Sequence, residues 1–200
     1  MALSNIDFII VSLNQDVVDA FKNEFDHLPN FTIKRSNILQ IKSADCIVSA
    51  GNSYGLMDGG VDGDINYALD FIDSKVIRPY IQQVYHGEQP VGTCNLFQTN
   101  KTCYKYLAHT PTMRVPQSVV ETNNAYIAMR ALLNEILKHN EFRNDIETVL
   151  MTGFCCGHGQ YDAKRSAKEM RLAYKMIQKN EICSWENAYK LNTQLKMCEN

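Results

Sequence analysis

Twice in this chain a short apolar run gives way to glycines and then to helix-like sequence. The first break follows Cys46-Ile47-Val48 and spans Gly51 to Gly63, with GLMDGGVDG at its centre. The second follows the run Thr148 to Met151 and reads GFCCGHGQY, Gly153 to Tyr161. A strand that runs into glycines and then a helix is the crossover of an open α/β fold, whose ligands bind beyond the carboxyl ends of the strands. Glycine lets backbone N–H groups turn inward and approach a ligand with no Cβ in the way. Such donors, added to a helix N-terminus, suit phosphate, and two loops of this kind suit two linked phosphates. The plainer alternative is that these glycines only serve tight turns.

The rest of the chain supports the α/β assignment. Ile6 to Leu13 reads as a first strand, and Asn14 as the N-cap of a helix whose inner face carries Val17, Phe21 and Phe25. Short strands are expected at Phe31 to Lys34, Asp45 to Ala50, Val91 to Gln98, Tyr104 to Ala108 and Thr148 to Met151. Helical faces are expected through Ile65, Ala68, Leu69 and Ile72, over Ser74 to Tyr85 with Pro79 kinking or starting it, and over Ala125 to Lys138. Asp162 caps a helix carrying Ala163, Ala167, Met170, Tyr174 and Ile177, and the last twenty residues suggest one more amphipathic helix. Alternating strands and helices predict a three-layer α/β/α sandwich with a mixed, centrally parallel sheet.

Composition narrows the function classes. A net charge of −2 without a basic cluster argues against nucleic acid as the main partner. Phe8-Ile9-Ile10-Val11 is too short for a membrane span or a secretion signal. There is no GxxxxGK[ST], which excludes a P-loop, and Gly157-His158-Gly159 is a lone GxG. The seven cysteines, Cys46, Cys94, Cys103, Cys155, Cys156, Cys183 and Cys198, form no CxxC pair, so a reducing, cytoplasmic location is expected. Crowding of Cys155, Cys156 and His158 raises a metal site or a thiol nucleophile. No second Cys/His cluster lies nearby, and catalytic partners usually come from separate segments, so neither is expected. A depressed Cys156 pKa is a further expectation of the phosphate-loop setting.

The wording of several segments resembles the macro domain family, modules that bind ADP-ribose. The matching segments are IVSAGN (Ile47 to Asn52), GGVD (Gly59 to Asp62), PVGTC (Pro90 to Cys94), HTPTMRVP (His109 to Pro116), TNNAY (Thr122 to Tyr126) and the second loop with its helix. They run in order from about Ser36 to Lys179, with SYGLMDGGVD and HTPTMRVP resembling one branch of the family.

The resemblance implies a single domain, taken as residues 1–180, and the amphipathic tail makes 181–200 a C-terminal helical extension packed on it or trailing from it. It implies one cleft for ADP-ribose, and a monomer with no cofactor and no metal. Its partner would be ADP-ribose or an ADP-ribosylated protein, not a membrane. Asn52 would contact the distal ribose, unless it is only a turn residue in left-handed geometry. Asp62 would orient or deprotonate the water that attacks the anomeric carbon, with helix capping as its ordinary alternative. Asn37-Ile38 stands where many family members have Asp-Ile to receive the adenine amino group, a change that loses charge assistance. Ala50, Gly59, Gly60 and Val61 would form the first wall of the site. Gly153, Phe154, Cys155, Cys156, Gly157, His158, Gly159 and Tyr161 would form the second, with Phe154 and Tyr161 packing on ribose or adenine or filling core. Arg114 would meet a phosphate or close the cleft, or else pair with a surface acid. The implied activity is hydrolysis of mono-ADP-ribosylated protein, O-acyl-ADP-ribose or ADP-ribose 1″-phosphate. The alternatives are a non-catalytic ADP-ribose reader or a binder of another nucleotide derivative.

Overall fold

A computed structural model describes residues 2–180 and 184–198. Cys183 and the rest of 181–183 and 199–200, all within the expected extension, lie outside the described residues.

Six strands form one sheet in the order β2-β1-β6-β3-β5-β4. They are β1 (Asp7–Ser12), β2 (Phe31–Arg35), β3 (Cys46–Ser49), β4 (Asn95–Gln98), β5 (Tyr106–His109) and β6 (Thr148–Met151). Neighbours pair in parallel except β4, which runs antiparallel to β5, so the sheet is mixed with a parallel centre. The helices are α1 (Gln15–Phe25), α2 (Gly60–Ala68), α3 (Arg78–Tyr85), α4 (Asn124–Phe142), α5 (Ala163–Lys179) and α6 (Trp185–Cys198).

Two cores lie on opposite sheet faces, because alternate strand residues point to opposite faces. Phe8 and Ile10 of β1 join Phe21, Phe25, Leu132, Ile136 and Met170 from α1, α4 and α5. Val11, Ile47 and Leu107 join Met57, Ile65, Ile77 and Ile81 beneath α2 and α3. That makes three layers. The extension α6 returns to α5, burying Leu195 and packing Leu191 against the first core.

Local signals place the helix starts. Asn14 accepts from the Asp16 amide at 2.9 Å, and Asp162 accepts from the Lys164 and Arg165 amides at 2.9 and 3.2 Å. Pro79 lies in the first turn of α3 and starts it, directly after a π-helical turn, Asp73–Ile77. Two expectations shift. The helix through Ile65 stops at Ala68, because Asp70 and Phe71 are both left-handed, at φ 58° and 60°; Ile72 reaches the core from outside it. The strand expected over Val91 to Gln98 begins only at Asn95, since Pro90 to Thr93 form a turn closed by Thr93 N–H donating to Pro90 O.

Candidate functional site

Beyond the carboxyl ends of β3, β5 and β6 the loops enclose a cleft of about 770 Å³. This volume is ordinary for a nucleotide-sized ligand. One wall is the first glycine loop and the start of α2: Asn52, Leu56, Asp58, Gly59, Gly60, Val61 and Asp62. The opposite wall is Gly153, Cys155, Gly157, His158, Gly159 and Gln160, from the second loop. Val48, Ala50, Gly51 and Thr152 form the floor, and Thr112, Met113, Pro116, Gln117 and Ser118 close the side. The two glycine breaks thus face each other.

Parallel pairing of β3 and β5 brings the loops that follow them together. The zipper runs from Thr110 N–H to Ser49 O (3.0 Å), through Thr112 N–H to Gly51 O (2.9 Å), to Ser53 N–H on Met113 O (3.0 Å). The HTPTMRVP segment thereby becomes a wall of the cleft.

The site is rich in free backbone donors. In the second loop the amides of Cys155, Cys156, Gly157, His158 and Gly159 have no protein acceptor among the described residues. At α2 the first intrahelical bond runs from Gly63 N–H to Gly59 O, so the preceding helical amides are unsatisfied, as at any helix start. Opposed rows of such donors form an anion site of backbone origin.

The glycines divide by physical role. A Cβ at Gly159 would stand 2.6 Å from the Cys155 carbonyl oxygen, and one at Gly153 would stand 2.8 Å from the Phe21 ring. These two permit close packing. Gly59 and Gly157 have nothing within 4 Å of a Cβ position, and there the missing side chain keeps the cleft open.

Asp62 sits in the first turn of α2, half-buried in the cleft wall, and its Oδ1 accepts from the Ser49 hydroxyl at 2.8 Å. Burial raises its pKa from 3.8 to about 6, opposed by the Ser49 hydrogen bond and by His158 across the cleft. A carboxylate poised near neutrality is a suitable general base.

Asn52 lines the cleft, but its amide is largely committed to its own loop. Nδ2 donates to Leu56 O at 2.7 Å, and Oδ1 accepts from the Tyr54 and Leu56 amides at 3.1 and 3.3 Å. It is not among the left-handed residues. It clamps the loop and retains one amide hydrogen for a ligand.

Several expected site residues lie off the cleft lining. Asn37 caps a short 3-10 turn, Ile38–Gln40, through Oδ1 and the Leu39 amide at 2.8 Å, and Ile38 is buried in the second core. Both follow β2, the edge strand furthest from β3 and β5 on that side. Phe154 is fully buried in the first core. The Tyr161 hydroxyl donates to Thr122 O, and its ring lies under the Arg165 guanidinium at 4.3 Å. Cys156 turns inward to Phe154 O at 3.5 Å, and burial pushes its thiol up to about 11, the reverse of the expected depression. Arg114 pairs with Glu88, Nε to Oε1 at 2.6 Å, the surface-acid pairing that was one of its expected roles.

Leu56, Gln117, Ser118, Thr152 and Gln160 were not singled out from the sequence. The signal for most of them is position, since each follows a strand whose carboxyl end opens on the cleft.

The macro domain model matches residues 48–170. Among solved structures, the chain is similar to the macrodomain of Mycobacterium tuberculosis DarG at 16% identity, over 74% of this chain and 91% of that one, with a TM-score of 0.60. It is similar to the Oceanobacillus iheyensis macrodomain with ADP at 20% identity, over 78% and 86%, with a TM-score of 0.57. It is also similar to Thermosipho africanus DarTG in complex with ADP-ribose at 13% identity, over 82% of this chain and 43% of that one, with a TM-score of 0.55. No curated protein matches it in sequence. With more than half its length inside the family model, the chain belongs to the macro domain family.

Proposed function

We propose that the chain binds ADP-ribose in this cleft and hydrolyses ADP-ribosyl derivatives. The observation that carries the reading is Asp62: a half-buried carboxylate, raised to about 6, on the wall facing a row of unpartnered loop amides. The amides of Cys155 to Gly159 and of the α2 start hold the diphosphate, which presents the distal ribose to Asp62. Asp62 takes a proton from a water whose oxygen attacks the anomeric carbon. The bond to the attached group breaks and that group departs with its electron pair. Complexes of similar folds with ADP and with ADP-ribose support the choice of ligand.

A second reading, an ADP-ribose reader without turnover, is favoured by Asn52, whose amide mostly serves the loop. Calorimetry with ADP-ribose and release of ADP-ribose from a modified protein separate the two. The hydrolase reading expects Asp62→Ala to retain binding and lose turnover by at least about a hundredfold. Binding without turnover in the wild type makes the chain a reader.

A further inference from the structure

Beside Asp62, and not among the residues that line the cleft, lie two buried polar side chains. Ser49 and His109 end β3 and β5, are register partners across the parallel pair, and are fully buried. Register partners on adjacent strands project to the same sheet face, and here that brings Ser49 Oγ to 3.4 Å from His109 Nδ1. The same hydroxyl lies 2.8 Å from Asp62 Oδ1. His109 Nε2 is buried with no hydrogen-bond partner.

Donor counting orders this chain of contacts. An ionised carboxylate only accepts, so the Ser49 proton goes to Oδ1. The remaining Ser49 lone pair can meet His109 only if Nδ1 carries the hydrogen. Nε2 is then the bare nitrogen, whose lack of a partner is less costly than a buried unmet N–H. Burial depresses the imidazole to about 4, offset in part by the Asn52 backbone, so it stays neutral at working pH. Gly51 lies at the centre of the group. A Cβ there would stand 3.1 Å from Asp62 Oδ2, 3.1 Å from His109 Cε1 and 3.2 Å from Ser49 Oγ. The three side chains close over a position that only glycine leaves vacant.

We propose that Ser49 and His109 are positioning residues for Asp62: neutral His109 orients the Ser49 hydroxyl from Nδ1–H, Ser49 holds Oδ1, and Oδ2 is left to act in the cleft. The proposal rests on the reading of Asp62 as the working carboxylate. The other titratable side chains lining the cleft, Asp58, Cys155 and His158, stay unchanged in every variant.

The test is the pH titration of the Asp62 carboxyl carbon by NMR, assigned by its loss in Asp62→Asn, beside the pH profile of turnover. Ser49→Ala removes a bond that favours the charged form and moves both midpoints up by about one unit. His109→Leu moves them the same way, and His109→Asn, which restores an N–H near Nδ1, returns them toward wild type. Nitrogen NMR of the wild-type imidazole, which needs no variant to fold, shows Nδ1 protonated and Nε2 bare. A protonated Nε2, or an unmoved Asp62 midpoint in Ser49→Ala, overturns the proposal. The carboxyl titration needs no substrate, so a chain that never turns over ADP-ribosyl substrates yet shows these shifts loses the hydrolase reading and keeps the relay. Turnover abolished by Asp62→Ala with unmoved midpoints does the opposite.

Discussion

A half-buried carboxylate with a pKa near 6 has a thermodynamic consequence apart from chemistry. Its folded value, about 6, lies above the ordinary 3.8, so between those pH values the folded state binds more protons than the unfolded one. Stability therefore falls as pH rises through this window, and the deficit is complete above it. Asp62→Asn removes the charge while its side-chain oxygen can still accept from Ser49. The variant is predicted to be more stable than wild type at pH 7.5 by about 1–3 kcal/mol. Denaturant melts should show the gap closing near pH 4; an equal gap at both pH values contradicts it. On the proposed hydrolase reading the sign reverses, because the base must be unprotonated: turnover is predicted to rise through pH 6 to a plateau. Asp62 was visible in the sequence because GGVD, in the glycine loop after β3, matches the family wording at the start of a helix. Ser49 and His109 were not visible as a pair, because sixty positions separate them and only the register of β3 with β5 unites them. Asn52 was legible as a loop residue, but its three bonds to Tyr54 and Leu56 depend on how the loop closes.

At the scale of elements, the glycine loops explain themselves only once the Cβ contacts are known. Gly157→Ala adds a methyl in open space, so its melting temperature should match wild type while ADP-ribose affinity falls about tenfold or more. Gly159→Ala drives a methyl into the Cys155 carbonyl, distorts the donor row, and should lower both affinity and stability. Calorimetry and thermal melts of the pair check the distinction; equal behaviour contradicts it. Strands, caps and the α5 face were readable because each rests on local pattern. The early stop of α2 was not, since the left-handed pair Asp70-Phe71 contains no glycine, and a lone Asp followed by a bulky Phe is a weak turn signal. The inward turn of Phe154 and Tyr161 likewise follows from packing against α5 and Thr122 rather than from their place in the loop.

The whole molecule is held by two cores and by a buried polar clasp between α4 and α5. Glu169 is fully buried, bonded to Arg165 Nε at 3.0 Å and to the Tyr126 amide at 3.2 Å at the start of α4. Glu169→Ala removes the acceptor of the buried Tyr126 amide and is predicted to destabilise by about 2 kcal/mol, read from denaturant melts; a change under 1 kcal/mol contradicts the clasp. We also propose that residues 1–180 fold as a domain without α6. A chain ending at Asn180 should retain wild-type ADP-ribose affinity at a lower melting temperature, because it loses the Leu191 and Leu195 packing on the first core. The central claim, that two opposed backbone cradles form one ADP-ribose site, is tested most directly by titrating ADP-ribose into the protein and following the backbone amide resonances. The account predicts saturable one-to-one binding, with the largest shifts at Gly60 to Asp62 and Cys155 to Gly159 together. No binding, or shifts confined to one loop, would contradict it.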